Sequence, residues 1–147
     1  MFTRIVVGTD GSDTAAEAVR QAIDLARLTG ATLSIVSAYA PVPKRRIQGE
    51  QEGAPPDIAY GIGPREDVNL VLDAAAAEAR TAGVEVRTHP VEADPADAIL
   101  NVAEEIKADL IVVGNKGMTG ARRYFLGSVP NNVTHHAPCS VLVIQTT

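Results

Sequence analysis

The chain has 147 residues, which suits one domain, and its 46% hydrophobic and 21% charged content is ordinary for a soluble globular protein. A formal net charge of −5 argues against a general nucleic-acid binder, which needs excess Lys and Arg for phosphates, and 3% aromatic residues leave no base-stacking platform. The single cysteine, Cys139, allows no internal disulfide, the chain opens directly on strand-like sequence rather than a signal peptide, and no apolar run approaches the ~18 residues of a membrane span, so a cytoplasmic protein is expected.

Phe2 to Thr9 is an apolar run that predicts strand one. Asp10-Gly11-Ser12-Asp13 reads as a turn, with Ser12 as helix N-cap and Asp13 in the first helical turn. Ala15, Val19, Ala22, Ile23 and Ala26 then recur on one helical face, and Gly30 terminates that helix. Leu33 to Ala38 predicts strand two. Residues 41–64 hold five prolines and four glycines and read as a long solvated loop; the alternative is a lid whose Lys44, Arg45 and Arg46 reach phosphates. Glu66 to Ala82 predicts helix two, with Val68, Val71, Leu72, Ala75 and Ala79 inward and Gly83 at its end. Val84 to Val91 predicts strand three, placed at the sheet edge because Pro90 cannot donate within a central ladder. Asp94-Pro95-Ala96-Asp97 supplies an N-cap, a proline at N1 and an acid at N3 for helix three, which buries Ile99, Val102, Ala103 and Ile106. Asp109 to Gly114 predicts strand four, Ser128 to His136 helix four, and Ser140 to Gln145 strand five.

Strands alternating with helices imply an α/β fold, a parallel sheet covered on both faces in a single domain. Between strand four and helix four lies VGNKGMTGARRYFLGSV, residues 113–129, with Gly114, Gly117, Gly127 and Ser128 spaced G-x2-G-x9-G-S. Strand, glycine loop and helix start are the parts of a phosphate site: loop N–H groups unscreened by side chains face an anion, and a helix N-terminus adds free donors and a favourable dipole. Ser128 is read as the cap of that helix and as a hydroxyl donor to phosphate. The spacing is neither the P-loop nor the dinucleotide fingerprint. The plainer reading is a glycine-rich turn followed by an ordinary cap.

The G-x2-G-x9-G-[ST] motif, the opening IVVGTDGSDTAAEAV and the ending GSVPNNVTHHAPCSVLVI together resemble the universal stress protein family over nearly the whole chain, 1–147, with the 41–64 loop the exception. The resemblance implies a five-stranded parallel sheet of order 3-2-1-4-5, Rossmann-like and similar to the adenine nucleotide alpha-hydrolase fold. That order puts the topological switch between strands one and four, where ligands bind at the carboxyl ends of strands. It also implies an adenine nucleotide, ATP or cyclic AMP, and a homodimer through the C-terminal strand; Mg²⁺ with ATP and an unknown protein partner complete the expectation. The implied nucleotide contacts are Gly8, Thr9, Asp10, Ala38, Val113, Gly114, Asn115, Lys116, Gly117, Met118, Arg123, Gly127, Ser128 and Val129. Asp10 is placed beside the ribose and adenine, and the backbone of Ala38 against the adenine.

Each candidate has a bland counterpart. Asp10 also reads as a turn residue, or as a Mg²⁺ ligand held through the nucleotide. Lys116 also reads as a solvated loop lysine, and of Arg122 and Arg123 one reaches phosphate while the other is exposed. His135 and His136 do not share a helical face, so a polar helix C-terminus is preferred to a metal site. Cys139 reads as a structural thiol. No nucleophile–base pair and no G-x-S-x-G elbow is present, so no catalytic residue is assigned; slow ATP hydrolysis, self-phosphorylation and a nucleotide-free interaction protein are the rival readings.

Overall fold

The computed structural model describes residues 1–40, 65–115 and 126–146. Within these residues five strands and four helices alternate: β1 Arg4–Gly8, α1 Asp13–Thr29, β2 Thr32–Tyr39, α2 Arg65–Thr81, β3 Val86–Glu92, α3 Pro95–Ile106, β4 Leu110–Gly114, α4 Ser128–His136 and β5 Ser140–Ile144. All pair in parallel in the order β3-β2-β1-β4-β5, as expected. The long loop predicted at 41–64 lies outside the described residues.

The central strands are apolar on both faces because helices cover both. Ile5 and Val7 of β1 face α1 and α2, with Leu33, Ile35, Leu72 and Val112 in the same cluster. Val6 faces the other way, toward α3 and α4, with Val36, Ile99, Ile111 and Val133. The predicted inward faces hold, with Ala15, Val71, Ala75 and Ile106 only partly buried, at the margins of those faces. Ser12 caps α1 by accepting from the Ala15 N–H at 3.2 Å, and Gly30 ends it in the left-handed conformation at φ 75°. Asp94 caps α3 with Pro95 at its start, as the sequence predicts.

The predicted bounds differ from the observed ones by one or two residues at most ends. β1 is shorter than Phe2–Thr9, and at its start the Asp109 carboxylate accepts from the Thr3 N–H, the Thr3 hydroxyl and the Arg4 N–H. β3 starts at Val86 rather than Val84, since the Val84 N–H is still bonded to the Ala79 carbonyl at the end of α2. One correction bears on the site. Ser128 does not cap α4; Gly127 holds the cap position with extended backbone (φ −60°, ψ 164°), and Ser128 is the first helical residue.

β3 forms one sheet edge, and Pro90 sits in it opposite Ser37. His89 lies on the same strand, and its Nε2 is buried with no hydrogen-bond partner among the described residues. Burial pushes its pKa below the ordinary 6.5; the Glu105 carboxylate on α3 opposes this, and the Arg87 guanidinium on β3 adds to it. The folded state therefore holds His89 neutral while the unfolded chain takes up a proton. That contribution to stability is complete above the unfolded pKa and is lost as pH falls through the window below it. Melting temperature is expected to fall less between about pH 7 and pH 5 in His89→Gln than in the native protein. Parallel curves for the two proteins would contradict this.

Candidate nucleotide site

A cavity of about 410 Å³ opens at the carboxyl ends of β1 and β4, between the first turns of α1, α3 and α4. This size is within the range of small-molecule sites, and the place is the switch point of the sheet. Eight of the sequence-predicted residues line it together: Gly8, Thr9, Asp10, Ala38, Val113, Gly114, Ser128 and Val129. Gly127 caps α4 behind the lining. Asn115 is also behind it, buried, with its side chain engaged elsewhere. Lys116, Gly117, Met118 and Arg123, together with Arg122, lie outside the described residues.

The lining divides by chemistry. Val36, Ala38, Pro95 and Ile99 supply an apolar wall. Thr9, Asp10, Ser12 and Thr14 supply hydroxyls and one carboxylate. Gly114, Ser128 and Val129 bring backbone at the end of β4 and the start of α4.

The backbone of Ala38 reaches the cavity for a reason visible in the sheet. Leu33 and Tyr39 bond toward β3, through Leu33 N–H to Glu85 (2.9 Å) and Ala93 N–H to the Tyr39 carbonyl (3.1 Å). Thr32 and Val36 bond toward β1, to Thr3 and from the Thr9 N–H. Alternate residues of a strand serve opposite neighbours, so Ala38 turns its N–H and C=O to the β1 side. β1 ends at Gly8, the partner of Val36, and so among the described residues no strand continues opposite Ala38 on that side.

Asp10 shapes its own loop and lines the cavity at once. Its Oδ1 accepts from the Ser12 N–H at 2.9 Å, and the Thr9 hydroxyl oxygen accepts from the Gly11 N–H at 3.1 Å. The turn reading of Asp10 is therefore met by the geometry, and the same residue borders the cavity.

Three helix N-termini face the cavity, and they differ. α1 carries its Ser12 cap and Asp13. α3 carries its Asp94 cap and Asp97, whose carboxyl is pushed up by its hydrogen bond to Asp94, by the Asp94 charge and by burial, against the pull of His136. α4 has neither a side-chain cap bond nor an acidic residue in its first turn. The first N–H groups of a helix have no acceptor within it. The Asn131 N–H is already bonded to the Gly127 carbonyl and Pro130 has no N–H, which leaves Ser128 and Val129 as the donors at the mouth of α4.

Ser12, Thr14, Ala15, Val36, Pro95, Ile99, Pro130 and Thr146 line the cavity without having been singled out as contacts. Ser12 and Pro95 are legible only as helix starts, yet in a parallel sheet every helix start after a strand stands at the ligand end. Thr146 has no such signal, since it follows the last predicted strand. Away from the cavity, no group of three His, Cys, Asp or Glu among the described residues is arranged to hold a metal. Burial pushes the Cys139 thiol up, with the Asp109 charge adding to it, which suits a packing role. No helix among the described residues is long and apolar enough to cross a membrane.

The sequence profile of the universal stress protein family matches residues 1–145. The chain is 39% identical over 147 residues to universal stress protein Rv1636 of Mycobacterium tuberculosis, covering 99% of this chain and 98% of that protein. Among solved structures, a universal stress protein in complex with cAMP is 33% identical, with a TM-score of 0.74 and coverage of 99% of this chain and 98% of that one. The universal stress protein from Archaeoglobus fulgidus in complex with dAMP is 26% identical, with a TM-score of 0.65 and coverage of 98% of both chains. With the glycine spacing, the strand order and the full-length match in agreement, the chain belongs to the universal stress protein family.

Proposed function

We propose that this protein binds an adenine nucleotide, ATP or cyclic AMP, in the switch-point cavity and acts in the cytoplasm as a stress-related sensor or regulator. The observation that carries the reading is the division of one cavity into three chemistries in the order a nucleotide needs. The apolar wall with the open Ala38 backbone takes the adenine. Asp10, with Thr9 beside it, takes the ribose hydroxyls. The Gly114 backbone and the Ser128 and Val129 N–H groups take phosphate, and the α4 dipole favours its charge. Lys116, Gly117, Met118 and Arg123 belong to the same proposed contact set, with Mg²⁺ accompanying ATP. Two structural neighbours solved with cAMP and dAMP support the adenine assignment. Calorimetric titration of nucleotide-free protein with ATP and Mg²⁺, and separately with cyclic AMP, tests it. Binding of either supports the reading, and their ranking separates an energy-state sensor from a second-messenger one. Binding of neither removes it.

The same proposal includes a homodimer through β5. This strand is the second edge of the sheet, and Leu142 in it is 40% exposed. An exposed apolar edge is a template for pairing with another chain. Leu142→Lys is expected to shift the native protein from dimer to monomer in sedimentation. A native monomer would end this part of the proposal.

A further inference from the structure

We infer that Thr146 forms a wall of the nucleotide site and that Asn115 is its positioning residue, fastening the chain beyond β5 to the end of β4. The inference rests on the nucleotide reading of the cavity.

Asn115 follows directly on β4 and is 3% exposed. A buried carboxamide needs hydrogen-bond partners, and this one finds them 31 residues on. Its Oδ1 accepts from the Thr146 N–H at 2.7 Å and from the Thr146 hydroxyl at 3.0 Å. Its own N–H donates to the Ile144 carbonyl at 3.0 Å. The carboxamide thus takes over where the β4–β5 ladder stops, at Gly114 and Ile144.

Thr146 is held against the cavity, and Asn115 is not in its lining. A Cβ placed on Gly114 would stand 3.3 Å from the Thr146 methyl carbon and 3.6 Å from its hydroxyl oxygen. Gly114 therefore lacks a side chain for two reasons. A phosphate can approach its backbone from the cavity, and Thr146 packs against it from the side of α1, where Ala18 is the next nearest neighbour. The first glycine of the motif and the penultimate residue of the chain are fitted to one another. The glycine spacing alone describes only half of that fit.

The test is titration with ATP and Mg²⁺ of native protein, Asn115→Ala, Thr146→Val and Thr146→Ser, with amide hydrogen exchange read at Thr146. A hydrogen bond of this kind is worth a factor of about 2 to 10. Asn115→Ala is expected to weaken ATP about tenfold and to speed Thr146 amide exchange. Thr146→Val, which keeps the shape and loses the hydroxyl, is expected to weaken ATP about threefold, and Thr146→Ser to recover most of that loss. Unchanged ATP affinity in both folded Asn115→Ala and Thr146→Val overturns the inference and leaves the nucleotide reading standing. Failure of the native protein to bind either ATP or cyclic AMP overturns the nucleotide reading and the inference with it; if cyclic AMP alone binds, the same variants are titrated with cyclic AMP. If Asn115→Ala does not fold, the glycine partner decides. Gly114→Ala pushes on the Thr146 methyl, so Gly114→Ala with Thr146→Ser should bind ATP more tightly than Gly114→Ala alone; equal binding overturns the fit.

Discussion

Gly8→Val is expected to lower both stability and nucleotide affinity. A Cβ at position 8 would stand 2.5 Å from Ile99 Cδ1 and 2.9 Å from Cγ1, closer than real Cβ contacts come. Ile99 is 4% exposed and packs among Val36, Ala38 and Val102, so its side chain can yield only toward the cavity it lines. Overpacking of this kind costs about 1–3 kcal/mol, and valine adds two methyls beyond the one that already collides, which puts it near the upper figure. For a chain of this length that is a fall in melting temperature of roughly 6–12 °C. Gly8 and Ile99 also line the cavity, so the displaced side chains intrude on the apolar wall and weaken ATP. Ile99→Ala in the same chain should relieve the clash, making the double variant less destabilised than the sum of the singles. A Gly8→Val protein that melts with the native one would refute the packing account.

Asp10→Asn separates the two roles of that residue. Asparagine keeps an oxygen for the Ser12 N–H and so keeps the turn, but it removes the charge and half of the acceptor capacity. If Asp10 receives ribose hydroxyls, ATP affinity should fall about 10- to 100-fold, the range for hydrogen bonds to a charged group, with little change in melting temperature. A 2′-deoxy nucleotide should lose less than ATP does on the same substitution. Native affinity in Asp10→Asn would reduce Asp10 to a turn residue.

The order of elements was legible because its signals are local and redundant. Apolar runs of strand length, the Ser12 and Asp94 caps and Gly30 each mark a boundary, and Pro90 marks an edge. Asp10 and Gly114 were legible at the ligand end because strand ends and glycine spacing coincide with the switch point, whereas Gly8 and Thr9, which also line the cavity, came with the family resemblance. The misplaced cap shows the limit: Gly127 and Ser128 are both acceptable caps by type, and only the dihedral angles of Gly127 distinguish them. Thr146 and Asn115 were legible neither as partners nor as a wall. Their bond joins residues far apart in sequence, and an asparagine between two motif glycines suggests a ligand contact before it suggests a clamp. Ala38 stands between these cases. Resemblance alone pointed to it, and the alternation of β2 backbone bonds with the early end of β1 supplies the physical cause.

The strand order also constrains how the chain is made. β1 leaves the ribosome first and sits in the middle of the sheet, with Ile5, Val6 and Val7 fully buried. One neighbour, β2, follows within a few dozen residues, but the other, β4, begins only at Leu110. Until then a nascent chain holding β3, β2 and β1 would carry a strand that is apolar on both faces along an open edge. A central strand waiting on so distant a partner slows folding and exposes a surface prone to association.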